Sequence, residues 1–168
     1  MYKEDLHHMA PLNKEIQNIV DSLGLLPHPE GGFYKETYRS EEKLDAIDRN
    51  IVTAIYFLLT SENVSRFHRI KSDEHWFYHA GSPLIVHTLS ENGHEETLIG
   101  PDFINGQKPH FVVPKNTIFG SSVADSNAYS LVSCVVAPGF DFADFELFER
   151  NFLLKEYPIH TEIIHRLT

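Results

Sequence analysis

The chain has 168 residues, 42% of them hydrophobic and 23% charged, which suits one packed domain with an ordinary soluble surface. Fourteen basic residues against twenty-four acidic ones leave a net charge of −10; such a surface repels phosphate backbones, and nucleic acid is set aside as a partner. No run approaches the ~18 apolar residues of a membrane span, and the start MYKEDLHHMAPLNKE lacks the apolar core of a signal peptide, so the expectation is a cytoplasmic protein with no membrane partner.

The predicted elements follow in chain order. Residues 1–10 read as a flexible tail, with His7 and His8 part of it, and residues 11–168 as a single domain. Leu12, Ile16, Ile19, Val20 and Leu23 fall at helical spacing, with Asn13 as a cap and Gly24 as a stop. Leu26 to Gly32 is turn chemistry, rich in proline and glycine. Phe33 to Ser40 alternates as a strand, with Tyr34, Glu36 and Tyr38 on one face. Residues 41–50 are charged and loop-like, a mobile segment near a cavity mouth. Ile51 to Thr60 is apolar on both faces and reads as a central strand. Pro83 to Ser90 and Glu95 to Ile99 form a hairpin across Asn92-Gly93. Further strands are expected at Pro109 to Val113, Thr117 to Val123 and Tyr129 to Ala137. Asp141 to Phe148 is a last strand or a turn, and a short helix closes the chain near Glu162 to Leu167. Cys134 lies inside an apolar run and reads as a small buried hydrophobe. Many short strands with regularly spaced turns argue an all-β sandwich or barrel.

The stretch SRFHRIKSDEHWFYHAG, Ser65 to Gly81, organises the rest. It reads as two strands around a tight turn at Lys71 to Asp73. Alternation puts His68 and Ile70 on one face, and Glu74, Trp76 and Tyr78 on one face of the returning strand. If the two faces coincide, a histidine, a carboxylate and two large aromatics meet in one cavity. The spacing of His68, Ile70, Glu74 and Gly81 resembles the first cupin motif, G-x5-H-x-H-x3-4-E-x6-G, with Ile70 in the place of the second histidine. Val113 to Phe119 is similar to the middle of the second motif, with Asn116 in the glycine place and Phe119 in the histidine place. Together with LPHPEGGFYKETYRS and VAPGFDFADFEL, these segments resemble a cupin family of unassigned function. The resemblance implies a double-stranded β-helix, the cupin jelly roll, with one N-terminal helix, and pairing into a homodimer.

The resemblance also frames the chemistry. A cupin metal site takes two histidines and a glutamate from the first motif and a histidine from the second. Ile70 and Phe119 cannot ligate, so no metal cofactor is expected; His68 and Glu74 would hold one if it bound. A third ligand would have to come from His75, His79 or His87, and parity turns the first two away. Metal-free cupins, the nucleotide-sugar 3,5-epimerases, pair a histidine with an aspartate and a tyrosine acid. By that likeness His68 is the base and Glu74 orients it. Asp141 or Asp144 stands for the aspartate, and Tyr38 or Tyr78 for the acid. Arg66, Ile70, Trp76, Tyr78 and Phe119 are the candidate ligand-binding residues. Three functions stay open: small-molecule binding with metal-free isomerisation or epimerisation of a sugar-like substrate, a metal-dependent cupin enzyme, and a non-catalytic ligand-binding protein.

Overall fold

The computed structural model describes residues 11–29 and 31–168. The tail expected over residues 1–10 and Glu30 of the proline-glycine turn lie outside the described residues. The chain opens with helix α1 (Pro11–Leu23), followed by β1 (Leu26–Pro27), β2 (Phe33–Arg39), β3 (Lys43–Leu44) and β4 (Arg49–Asn50). Next come β5 (Thr53–Thr60), β6 (Val64–Arg69), β7 (Asp73–Gly81), β8 (Leu84–Ser90) and β9 (Gly93–Ile99). The remainder is β10 (His110–Val113), β11 (Ile118–Val123), β12 (Tyr129–Ala137), β13 (Glu146–Leu147), α2 (Arg150–Glu156) and α3 (Thr161–Arg166).

Two antiparallel sheets face each other. One has six strands in the order β1-β2-β5-β12-β7-β10, the other five in the order β13-β6-β11-β8-β9. Their inner faces share a core that includes Phe57, Ile70, Trp76, Val86, Phe119 and Val132. β5 has no exposed position, because β2 and β12 flank it and apolar layers cover both its faces. This is the jelly roll expected from the motifs.

The outer faces are closed by helices. Ile16, Ile19, Val20 and Leu23 of α1 pack over Leu25, Leu58 and Tyr129 behind the six-stranded sheet. The helix starts at Pro11, where a missing N–H costs nothing, so Asn13 lies inside it rather than capping it. Gly24, at φ +65°, ends it as expected. Behind the five-stranded sheet, Leu153 of α2 and Ile163 and Ile164 of α3 cover Phe67, Leu89 and Ile118. Helix α2 was not legible, because a seven-residue helix carries barely two turns of periodicity. The charged segment 41–50 contains the small β3–β4 hairpin rather than a plain loop. Among the described residues, no helix is long and apolar enough to cross a membrane.

Two motif positions show why their residue types are needed. Gly81 sits at φ +83°, and a Cβ there would lie 2.2 Å from the Tyr129 carbonyl oxygen. Asn116, in the glycine place of the second motif, adopts φ +63°, the left-handed region that asparagine tolerates best after glycine.

Candidate active site

A cavity of about 580 Å³ opens between the sheets, lined mostly by apolar side chains. β6 and β7 deliver its polar centre. His68, Ile70, Glu74 and Trp76 all line it, so the two strand faces do coincide. Glu74 sits mid-sheet, opposite Val136 of β12 and Val113 of β10. Its Oε2 is sealed from solvent and meets no hydrogen-bond partner among the described residues. Burial pushes its carboxyl up to about 8, so it holds a proton at neutral pH. The Trp76 indole N–H opposes that shift, but Nε1 is itself buried and outside hydrogen-bond geometry to any acceptor among the described residues.

His68 is held by its neighbours. Its Nδ1 lies 2.6 Å from the Arg66 carbonyl oxygen, which can only accept, so Nδ1 carries a proton. A neutral ring therefore has its lone pair on Nε2. The imidazole packs against Phe119 at 4.2 Å and stacks on Phe145 at 5.1 Å between centroids. Cys134 lies on the opposite wall, and burial pushes its thiol well up, keeping it protonated.

Several candidates fall elsewhere, for identifiable reasons. Glu36 pairs with Ile55 and Tyr38 with Ala54, so Thr37 is an extra residue in β2. The bulge reverses the alternation: Arg39 joins Tyr34 and Glu36 at the cavity, and Tyr38 is left 56% exposed outside it. A similar irregularity in β6, where Phe119 pairs with His68 but Ser121 with Ser65, brings Ser65 to the cavity and takes Arg66 away from its lining. Tyr78 shares the inner face but lies further along β7, where its hydroxyl donates to the Gly81 carbonyl at 2.7 Å. Phe119 forms a layer behind His68 and Trp76 rather than the cavity surface.

Neither aspartate lines the cavity. Asp141 accepts from the Ala143 backbone N–H at 2.8 Å, capping the short turn Phe142–Asp144. Asp144 accepts two hydrogen bonds from Arg49 at 2.8 and 2.9 Å, and that guanidinium holds its carboxyl below the usual range. Arg69 is bound to Glu146 and stacked over Phe148. His75 faces His110 at 2.9 Å, and His79 meets Ser133, both off the cavity as parity predicts.

Other cavity residues were not singled out beforehand. The turn after β1 contributes His28, packed edge-on against Tyr34 and Phe57. At the mouth, Arg39 binds Glu36 at 2.6 Å and is fixed by Asn50 and the Phe140 carbonyl. Phe140, Phe142 and Phe145 form an aromatic rim, Phe142 being 72% exposed. The three closely spaced phenylalanines in VAPGFDFADFEL were the available signal.

Over residues 17–148 the chain matches the family described as Cupin_5, Cupin superfamily (DUF985). The chain belongs to this cupin family. It is 28% identical to an uncharacterised protein of Saccharomyces cerevisiae over 146 residues, covering 77% of this chain and 73% of that one. A solved structure of a Shewanella oneidensis protein superposes with a TM-score of 0.84 at 42% identity, covering 90% of this chain and 96% of that one. A hypothetical protein from Leishmania major is similar at 41% identity and TM-score 0.84, covering 90% and 97%. A variant of oxalate decarboxylase from Bacillus subtilis shares the fold at 13% identity and TM-score 0.55, covering 84% of this chain and 37% of that one.

The cupin frame would aim His68, Ile70, Glu74 and Phe119 at a metal. Two of these are hydrocarbon, and Glu74 is protonated at neutral pH. A zinc-type site asks for three protein donors. His28, Glu36 and Cys134 also line the cavity, but among the described residues no three of its donors converge, so these residues do not fit a metal in the barrel. Among the described residues one group of three does bring donor atoms together, and it lies elsewhere.

Proposed function

We propose that this cupin binds a small carbonyl-bearing organic molecule, sugar-like in size, and moves a proton on it without a metal. One observation carries the reading. Two buried polar atoms, Glu74 Oε2 and Trp76 Nε1, lack partners among the described residues at the wall of an apolar cavity that also holds His68. An orphaned buried polar group costs about 1–3 kcal/mol. A ligand oxygen that accepts from both removes that cost.

The chemistry then follows from protonation states. Glu74 was expected as a carboxylate orienting His68; as a neutral acid it donates to the substrate carbonyl instead. His68 Nε2 takes a proton from the adjacent carbon. The C–H electron pair becomes the C=C of an enol, and the carbonyl oxygen takes the Glu74 proton. On an α-hydroxy carbonyl, His68 delivers its proton to the former carbonyl carbon while the other enediol hydroxyl gives its proton to the Glu74 carboxylate and becomes the new C=O, which completes an isomerisation; alternatively, water protonates the original carbon from the opposite face, the enol O–H proton returns to Glu74 and His68 releases its proton to solvent, which completes an epimerisation. Arg39 and Glu36 at the mouth supply polar contacts for the outer end of the ligand.

The test uses the sole tryptophan, Trp76, as the binding probe. Keto- and aldo-sugars and simple ketones are screened by fluorescence quenching, then incubated in D2O. Proton NMR should show deuterium entering beside the carbonyl, and His68→Asn should abolish it. Exchange that survives in both His68→Asn and Glu74→Gln would overturn the mechanism. Quenching without exchange favours the second reading, a non-catalytic binder, which the mostly apolar lining supports. Pairing into a homodimer also remains a proposal. It rests on the sheet edge at β1, which no described strand covers and where Leu26 is 64% exposed, and size-exclusion with light scattering tests it.

A further inference from the structure

We propose that His87, His94 and Glu96 form a binding site for a zinc-class divalent metal ion on the outer face of the five-stranded sheet. The site is distinct from the barrel cavity. His87 and Leu89 alternate to the same side of β8, and Leu89 packs beneath the C-terminal helices. The hairpin register sets His87 opposite Glu96 and places His94 beside the same spot. Sequence alone shows two histidines and a glutamate around an Asn-Gly turn, but not that their donors converge.

The geometry is that of a coordination shell. His87 Nδ1 lies 3.0 Å from His94 Nε2. Glu96 Oε1 lies 3.6 Å from the first nitrogen and 3.9 Å from the second. A tetrahedral ion with bonds of ~2.0–2.1 Å holds its donors about 3.3 Å apart. A single proton shared between the two imidazoles would explain their approach. It would not explain a carboxylate aimed at the same point from beyond hydrogen-bond distance.

The surroundings supply the rest of a site. His87 is fully buried, and its Nε2 lies 2.8 Å from Ser122 Oγ. With Nε2–H donated to that hydroxyl, Nδ1 turns its lone pair to the ion, the outer hydrogen bond that metal-bound imidazoles commonly make. A second cavity of about 410 Å³ opens on His94 and Glu96, giving an entry path and room for a water as fourth ligand. Its wall carries Glu96 and Glu162 against Arg166, so the local charge favours a cation. Two imidazoles and one carboxylate suit zinc or cobalt better than magnesium or calcium, which prefer all-oxygen shells.

The test uses the full chain without an affinity tag, stripped with a chelator and titrated with Zn2+ against a competing chelator. The expected result is one ion per chain, with affinity falling at least tenfold in His94→Ala and in Glu96→Gln. Both residues reach solvent, so these variants should fold; circular dichroism checks that. Co2+ in place of zinc should give the visible absorption of a tetrahedral ion, lost in the same variants. His68→Asn, Glu74→Gln and a His7→Ala/His8→Ala variant should bind zinc like the wild type. No binding, less than a threefold change in both His94→Ala and Glu96→Gln, or loss of the ion in the His68 or tail variants would overturn the proposal.

Discussion

The barrel and the outer face of the second sheet hold the same residue types in opposite settings. In the barrel, His68 and Glu74 stand among Ile70, Trp76 and Phe57. His28, Glu36 and Cys134 line the cavity as well, but among the described residues no three of these donors converge, and burial keeps Glu74 protonated. Outside, His87, His94 and Glu96 converge, with Glu96 about half exposed. Burial and the neighbouring His94 push the His87 imidazole down to about 3, so it is neutral at physiological pH. The lesson concerns donor convergence and solvent. A histidine and a glutamate partly buried among mostly apolar side chains are set up to move protons. The same pair with one more imidazole and a path to water is set up to hold a cation.

Exchanging the roles is the sharpest way to break that comparison. Glu74→Gln and His68→Asn should each lower deuterium exchange on a bound ketone by about 10²–10⁴-fold, the usual worth of a positioned acid or base, while leaving zinc affinity unchanged. Glu96→Gln should do the reverse. A variant that lost both properties would show one coupled site, not two.

The next effect is on stability. Glu74 has an ordinary pKa of 4.5 unfolded and about 8 folded, so the folded state binds the extra proton between those values. Its contribution to stability is therefore fully present below pH 4.5, declines as pH rises, and is lost above pH 8. The full difference is on the order of a few kcal/mol. Thermal unfolding from pH 5 to 9 should fall more steeply in the wild type than in Glu74→Gln, whose neutral amide does not titrate. Trp76 emission should change with a midpoint near 8, and that transition should vanish in the variant. A wild type with no such difference would mean that Glu74 is already ionised and that the barrel is less dry than its lining implies.

What the sequence made legible follows from local rules. Alternation alone brought His68, Ile70, Glu74 and Trp76 to one cavity, because Glu74 and Trp76 share β7, Ile70 follows directly on the end of β6, and no register shift falls between the members of either pair. It failed where a bulge inserts a residue. Thr37 exchanged Tyr38 for Arg39, and the irregular β6 register moved Arg66 off the lining. No residue type at Thr37 announces a bulge; the pairing with β5 decides it. The aromatic rim was hidden because Phe140, Phe142 and Phe145 sit in a turn whose place over the barrel is tertiary. The outer cluster was hidden for a related reason. His87 and His94 were visible as residues of a hairpin, but the register and the helices behind the sheet make them neighbours in a buried corner.

The smallest expected effects test the boundary of the barrel site. Tyr38→Phe and Asp141→Asn should each change ligand quenching and deuterium exchange by less than about twofold. Tyr38 lies outside the cavity, beyond the bulge. Asn at position 141 keeps an oxygen to accept from the Ala143 N–H, so the turn beneath the aromatic rim should hold. Arg39→Ala is the matched comparison: it removes the side chain that the bulge does bring to the mouth, together with its bonds to Glu36, Asn50 and the Phe140 carbonyl. It should weaken ligand binding several-fold while leaving the exchange rate of bound ligand nearly unchanged. If Tyr38→Phe instead lost tenfold in exchange with normal quenching, the hydroxyl would have to reach the reacting atoms. The β2 edge would then have to straighten over the ligand and undo the bulge that now turns it away.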